Sequence, residues 1–308
     1  RLVTSEDGVL EKIVEAKDAT EEELEIDFCN SGVMAIRGDI AWDMLAAIKN
    51  ANAKKEFYLT DVVAIARARG LTAVAVDCDE NEVLGVNSRT ELATAEAIFQ
   101  FRARQKFMDA GVTLIDPDSV FFAADTAIEN DVLIEPNVFF GAGVSIARGA
   151  HIKAFSHIEG ASVGRDTVVG PFARLRPGTK LGADVKVGNF VELKKADVAD
   201  GAKISHLSYI GDATVGAEAN IGAGTITCNY DGYNKYETII GRDVFVGSNT
   251  ALVAPVTIGD GAMIAAGSVI TQNVAADSLA IARGQQAEKQ GRAKEFRTKA
   301  AALKKKKS

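Results

Sequence analysis

Val246-Gly-Ser-Asn-Thr250, Ile258-Gly-Asp-Gly-Ala262 and Ile264-Ala-Ala-Gly-Ser268 follow one rule: an aliphatic residue, often followed by Gly, then a small residue four places on. The rule extends from Ile128 to Ile270. Its first register runs Ile128, Ile134, Phe140 (the one aromatic), Ile146, Ile152, Ile158. After a one-residue deletion it resumes at Val163, Val169, Leu175, Leu181, Val187, Leu193. Further deletions lead to Val198, Ile204, Ile210 and then to Val215, Ile221. After an interruption it returns at Ile240, Val246, Leu252, Ile258, Ile264, Ile270. A period of six belongs to neither a helix nor a strand. Held this long, it is the hexapeptide repeat of a parallel β-helix.

Three hexads make one triangular coil. The aliphatic side chain points inward and stacks on its counterpart one coil away, while Gly, Asn or Asp takes the tight corner. One buried Val, Ile or Leu contributes about 1.5–3 kcal/mol, and ordering the backbone costs about 1–2 kcal/mol per residue. A single hexad cannot stand alone, so stability comes from stacking on neighbours.

The chain of 308 residues has room for more than this solenoid. It is 47% hydrophobic and 6% aromatic, which suits a core of stacked Val, Ile and Ala. Net charge is −7; residues 285–308 carry nine Lys/Arg against two Glu, so the rest carries −14, which excludes nucleic-acid binding by bulk charge. Three scattered cysteines, Cys29, Cys78 and Cys228, read as reduced thiols of a cytoplasmic protein, without a disulfide framework or metal spacing. No apolar run reaches transmembrane length, no signal peptide is read, and the chain opens on Arg1.

Residues 1–89 lack the hexad. Segments 8–14, 33–36 and 71–76 read as strands and alternate with helical segments 39–49 and 61–69, an α/β pattern. Thr60 and Asp61 read as N-cap residues. No Gly-rich phosphate loop is present. Residues 90–110 read as a linker helix, opened by the capping box Ser88-Arg-Thr-Glu91 and stopped by Gly111, with Leu92, Ala95, Ile98, Phe99 and Phe107 on its apolar face. The solenoid domain and a basic tail fill 111–308.

Three features point to chemistry. The segment from Cys228 to Thr238 interrupts the solenoid and holds three of the five Tyr, and a loop leaving a regular scaffold is where function concentrates. His206 lies two residues after an inward Ile, whereas His151 and His157 immediately precede one; an imidazole there can take a proton near pH 7. Arg176 and Lys194 are one coil apart, flanked by Arg174 and Lys195, a cationic ladder that can clamp a phosphate. Cys228 has no activating base in its local motif and is not read as a nucleophile.

The runs Gly170-Pro-Phe-Ala-Arg-Leu-Arg-Pro-Gly178, Val187-Gly-Asn-Phe-Val-Glu192, His206-Leu-Ser-Tyr209 and Asn220-Ile-Gly-Ala-Gly-Thr-Ile-Thr-Cys-Asn-Tyr-Asp-Gly232 resemble the bacterial bifunctional GlmU family. So do Lys12-Ile-Val-Glu-Ala-Lys-Asp18, Asn30-Ser-Gly32, Phe57-Tyr-Leu-Thr-Asp61 and Gly85-Val-Asn-Ser-Arg89. The resemblance implies part of a Rossmann-like nucleotidyltransferase α/β domain, followed by an all-β left-handed parallel β-helix. It implies acetyl transfer from acetyl-CoA to the 2-amino group of glucosamine 1-phosphate by a cytoplasmic homotrimer. The family's second activity makes UDP-N-acetylglucosamine from UTP with Mg²⁺, for peptidoglycan and lipopolysaccharide precursors. The family's opening nucleotide loop and early metal-binding Asp have no counterpart here, so that activity is expected to be absent from this chain.

Carried over residue by residue, the resemblance implies His206 as general base, with Glu192 orienting or polarising it. It implies Arg176, Lys194, Tyr209, Asn220 and Lys235 around the sugar phosphate. Ala223, Asn229, Tyr230, Ser248, Ala266 and Arg283 would line the acetyl-CoA site, and the basic tail beyond Arg283 would lie over it. The last lysines, Lys304 to Lys307, read as a disordered solubilising end. Glu15 and Asn30 would contact the UDP-sugar, and Asn87 would ligate Mg²⁺. The alternatives are another hexapeptide acyltransferase, disfavoured by the cationic ladder, and a non-catalytic β-helix, disfavoured because no face repeats Thr or Asn.

Overall fold

A computed structural model of the chain describes residues 1–52 and 54–305. Its contacts form two compact units, Arg1–Phe99 and Gln100–Ser308.

The second unit is a parallel solenoid running from Thr113–Leu114 to Leu279–Ala280. Its strand pairings follow the hexad register. One column stacks Ile134, Ile152, Val169, Val187, Ile204, Ile221, Val246 and Ile264. A second stacks Ile128, Ile146, Val163, Leu181, Val198, Val215, Ile240 and Ile258. The third stacks Phe122, Phe140, Ile158, Leu175, Leu193 and Ile210. Of these residues, all but the partly covered Ile128 are buried. The first one-residue deletion falls between His157–Ile158 and Ala161–Val163, and the other two fall at the corners Lys195 and Asp212 inside the continuous strands Glu192–Val198 and Tyr209–Val215, so the columns stay in line.

The third column continues through a residue the aliphatic rule misses. Thr227 is inward, next to Leu252 in register, and 1% exposed. Its hydroxyl accepts from the Gly211 N–H at 2.8 Å and donates to the Gly211 carbonyl at 3.0 Å. A Thr has nearly the shape of Val, and here the neighbouring backbone satisfies its oxygen. The solenoid is therefore unbroken inside, and the extra residues emerge at a corner between Ile226–Cys228 and Thr238–Ile240.

The helix Arg89–Asp109 starts on the expected capping box: Ser88 Oγ accepts from the Glu91 N–H, and the Glu91 carboxylate accepts from the Ser88 N–H. It stops at Gly111, φ +90°, where the Gly111 and Val112 N–H groups bond back to Met108 and Phe107. The division between units falls inside this helix. Its buried face differs from the one read in sequence: Leu92 is 53% exposed, while Gln100 is buried. The Gln100 amide donates to the Phe122 carbonyl at 2.8 Å and accepts from the Phe122 N–H at 2.9 Å, standing in for a strand at the open end of the solenoid. Phe107 covers that end, its ring 4.7 Å from Phe122, which stacks on Phe140 at 5.3 Å.

The first unit pairs Leu2–Thr4 with Leu10–Ile13 in an antiparallel hairpin and adds helices Glu21–Leu24, Gly38–Ala46 and Asp61–Ala68. Its core gathers Leu10, Ile13, Met44, Val62 and Val63. Two expected strands, 33–36 and 71–76, join no ladder. Leu71, Ala73 and Ala75 turn toward this core, as alternation predicts, yet the Leu10 N–H bonding to the Ala73 carbonyl gives too little pairing for a strand. Thr60 precedes its helix without capping it, because its hydroxyl donates to Glu15 instead. At the other terminus, Arg292–Lys305 is helical and includes Lys304; Lys306 and Lys307 lie outside the described residues.

Leu193→Ala should destabilise the solenoid by about 2–5 kcal/mol, the cost of a core cavity. Thr227→Val should cost about 1–3 kcal/mol despite the added apolar group, because the Gly211 N–H loses its acceptor. Urea unfolding followed by circular dichroism measures both; a neutral Thr227→Val would show that shape alone holds the position.

Candidate active site

Two residues beyond the inward Val187, Ile204, Ile221, Val246 and Ile264 stand Asn189, His206, Ala223, Ser248 and Ala266. Register therefore stacks them in one column along a solenoid corner. Backbone bonds tie it together: the Leu207, Gly224, Asn249 and Gly267 N–H groups donate to the carbonyls of Asn189, His206, Ala223 and Ser248. Arg283 closes the column by donating from Nη1 to the Ala266 carbonyl at 2.6 Å. His206 is exposed, and the residues following it in the column are small. The column thus sets an imidazole at one end of a slot with little side-chain bulk.

The adjoining face carries the polar residues. Glu192 registers between Arg174 and Tyr209, and Lys194 lies beside Gly211. The next corner is turned by Lys195 and Asp212, both at φ +46°. The inserted loop leaves from that corner and is tightly self-bonded. Tyr230 and Lys235 form an antiparallel bridge, and the Tyr236 N–H donates to the Asn229 carbonyl at 2.9 Å. The Asp231 carboxylate accepts from the Asn234 and Tyr233 N–H groups, which hold its pKa below the usual range. It also accepts from the Tyr236 hydroxyl at 3.0 Å, and its charge pushes that phenol up.

This loop delivers Lys235 to Lys194. The Lys194 side chain beside it, by close contact and like charge, holds the Lys235 ammonium below its usual range. Two adjacent ammonium groups make a site suited to an anion. Lys195, Asp212, Lys235, Tyr236 and Glu237 line an open cleft there. Asn229 is buried and donates from Nδ2 to Asp212 Oδ2 at 2.5 Å, with Tyr209 Oη at 3.5 Å. Asn220 sits on the remaining face, beside Lys203 in register.

Glu192 is held by arginines. Its carboxylate accepts from Arg176 Nη1 at 2.9 Å, with Arg174 at 3.8 Å. The partner of His206 is Asn189, with Nδ1 and Oδ1 2.7 Å apart. Sequence reading missed Asn189, although the signal was there: it holds the same place after Val187 as His206 holds after Ile204. The other two imidazoles are engaged away from Cys228, His151 with Glu135 at 2.8 Å and His157 stacked on Phe139 at 4.9 Å.

In the first unit, Glu15 is exposed and accepts from the Thr60 hydroxyl at 3.3 Å, and Asn30 is half-buried. Burial, then the charges of Asp18 and Glu15, push the Asp61 carboxyl up. Asn87 precedes the long helix, where the nearby Glu91 carboxylate already accepts from the Asn87 and Ser88 N–H groups. Among the described residues no cluster of three His, Cys, Asp or Glu is arranged to hold a metal ion. These residues alone do not fit a magnesium site. Among the described residues no helix is long and apolar enough to cross a membrane.

If Lys194 depresses Lys235, Lys235 should react faster with an acylating reagent at mildly alkaline pH than an isolated surface lysine. Lys194→Met should abolish that advantage, and a bound phosphate ester should suppress it. Mass spectrometry of competitively labelled protein reads the rates; no change in the variant would uncouple the two lysines.

The chain is similar to known proteins. The model of the bacterial transferase hexapeptide family (six repeats) matches residues 237–272. A protein of Jannaschia sp. (strain CCS1), described as "Bifunctional protein GlmU", is 56% identical over 308 residues, covering 100% of this chain and 68% of its own length. The protein of the same description from Agrobacterium fabrum is 58% identical over 299 residues, covering 97% of this chain and 66% of its own. The chain thus spans about two thirds of the length of these relatives. The UDP-N-acetylglucosamine acyltransferase of Francisella novicida aligns over 56% of this chain and 66% of its own at 16% identity and a TM-score of 0.29.

Proposed function

The chain belongs to the bifunctional GlmU family, and from that membership and the geometry around His206 we propose that it transfers acetyl from acetyl-CoA to the 2-amino group of glucosamine 1-phosphate. The observation that carries this reading is the placement of an exposed histidine at the head of a slot of small residues, with a paired-lysine site on the adjoining face. A phosphate of the acceptor pairs with Lys194 and Lys235, assisted by Arg176, Tyr209 and Asn220. The acetyl donor lies along Ala223, Ser248 and Ala266, near Asn229 and Tyr230, with Arg283 and the basic residues beyond it available to its phosphates.

The steps follow from the acceptor's chemistry. An ammonium is not a nucleophile, so His206 takes the proton and the amine attacks the thioester carbon. A backbone N–H or an amide donor stabilises the tetrahedral oxyanion. Collapse expels the CoA thiolate, which takes a proton from the imidazolium, and the nitrogen's second proton passes to the freed imidazole and on to solvent. Holding both substrates together removes any need for an acyl-enzyme. Glu192 acts in this scheme by fixing Arg176.

We also propose a homotrimer. Phe155, Phe172, Phe190 and Leu207 form an apolar column beside Asn189 and His206, 51%, 45%, 55% and 62% exposed in the single chain. The phenylalanine rings stack at 4.9 and 5.2 Å. All four residues have φ between +50° and +60°, a conformation costly for bulky side chains. Strained, exposed aromatic stacking of this kind fits burial against further copies of the chain. The three cysteines are free, in keeping with a reducing cytoplasm. From family membership, Glu15, Asn30 and Asn87 are proposed to face the UDP-sugar of the family's other activity.

Thiol release from acetyl-CoA should require glucosamine 1-phosphate and be far weaker with glucosamine. His206→Ala should lower kcat by about 10²–10⁴-fold, the usual share of a general base. Equal release with both sugars would overturn the phosphate clamp, and an unimpaired His206→Ala would remove His206 from the mechanism. Light scattering should report a trimer, and Phe172→Asp should dissociate it with loss of activity; an intact trimer in that variant would place the interface elsewhere.

A further inference from the structure

The shortest contact His206 makes is with a residue that the family resemblance did not bring forward. His206 Nδ1 and Asn189 Oδ1 are 2.7 Å apart. An amide oxygen can only accept, so in this arrangement the imidazole carries its proton on Nδ1. We infer that Asn189 is a positioning residue for the base: its side-chain oxygen fixes the His206 tautomer that keeps the Nε2 lone pair open toward the acceptor amine. The chemistry of this inference rests on the acetyl-transfer reading, whereas the tautomer rests on geometry.

Three independent features build the pair. First, Asn189 and His206 are register partners, and the Leu207 N–H donates to the Asn189 carbonyl at 3.0 Å. Second, the strands Lys186–Asn189 and Lys203–His206 are four residues long, whereas Val168–Val169, Asn220–Ile221 and Phe245–Val246 on the same sheet are two. The ladder is prolonged where the base must be held. Third, Gly188 allows the coils to touch: a Cβ there would lie 1.9 Å from the Ser205 carbonyl oxygen. Backbone contact on both sides of the pair therefore sets its spacing, not the flexibility of either side chain.

The choice of an amide also has a physical reason. A carboxylate at this position would orient the ring equally well but would favour the imidazolium, which cannot accept a proton. Asn189 supplies the acceptor without the charge. The carboxylate that might have served, Glu192, is engaged by Arg176. With the amide reversed, Nδ2 would donate to Nδ1, the ring proton would move to Nε2, and the base would be lost. The orientation thus decides whether His206 can work, which makes it measurable.

The test uses the whole chain and three proteins: wild type, Asn189→Leu, which keeps size but removes the acceptor, and Asn189→Asp, which keeps the acceptor. Nitrogen NMR of the imidazoles reports the tautomer, and with three histidines in the chain the His206 signals are assigned by their loss in His206→Ala. The expected result is the Nδ1–H form in wild type and loss of that preference in Asn189→Leu. Asn189→Leu should also lower kcat about 10–100-fold, the usual cost of removing an orienting partner, with KM for both substrates unchanged and activity restored in part by Asn189→Asp. An Nε2–H tautomer in wild type would overturn the inference. So would a fall in kcat with the tautomer unchanged, which would mark a merely structural role. If the wild-type chain showed no acetyl transfer, the functional reading would fail, and the tautomer comparison would still decide the role of Asn189.

Discussion

One buried aliphatic side chain stacks on its counterpart a coil away, and this contact fixes where every other side chain points. Ile204 lies between Val187 and Ile221 in register, so Asn189, His206 and Ala223 fall into line two residues further on. Leu193 lies between Leu175 and Ile210, so Arg176 and Lys194 fall on the neighbouring face. The functional residues hold their places because core residues beside them cannot slip. A slip by one residue would turn every inward side chain outward. The solenoid keeps its columns through single-residue deletions by taking up the loss at its corners, two of them inside unbroken strands.

The site departs from the repeat in only a few places, and each departure has a use. The coil between Ile226–Cys228 and Thr238–Ile240 gains a loop, while the core continues beneath it through Thr227. Asp231 stiffens that loop by accepting from two of its N–H groups, so Lys235 is presented beside Lys194 despite like charge. Repulsion between the lysines is tolerable at an exposed position and is relieved when an anion arrives. The corner phenylalanines likewise hold a strained backbone that burial against another copy of the chain would repay.

Much of this was legible in the sequence because a period of six leaves little freedom: the aliphatic inward residues from Ile128 to Ile270 and the special setting of His206 follow from counting, while the outer coils at Thr113–Leu114 and Leu279–Ala280 and the inward Thr227 fall outside the aliphatic register. What counting cannot show is which polar side chains meet. The resemblance implies that Glu192 orients or polarises His206, and only the structure shows its register between Arg174 and Tyr209 and its bond from Arg176. Gln100 looks like a solvent-facing residue of a helix, but its amide fits the unpaired backbone of Phe122. In the first unit, 71–76 alternates as a strand should, and its burial follows that alternation, while its backbone lacks the neighbour that would make it one. Side-chain pairing and strand pairing depend on distant segments, and no local pattern encodes them.

The central claim is that two neighbouring faces hold both substrates at once, so that acetyl passes directly from sulfur to nitrogen with His206 taking the proton. Initial-rate kinetics with acetyl-CoA and glucosamine 1-phosphate both varied tests this most directly, combined with the intact mass of protein exposed to acetyl-CoA alone. The account predicts intersecting double-reciprocal lines and no acetylated protein. Parallel lines, with acetyl found on Cys228 or any other side chain, would contradict it.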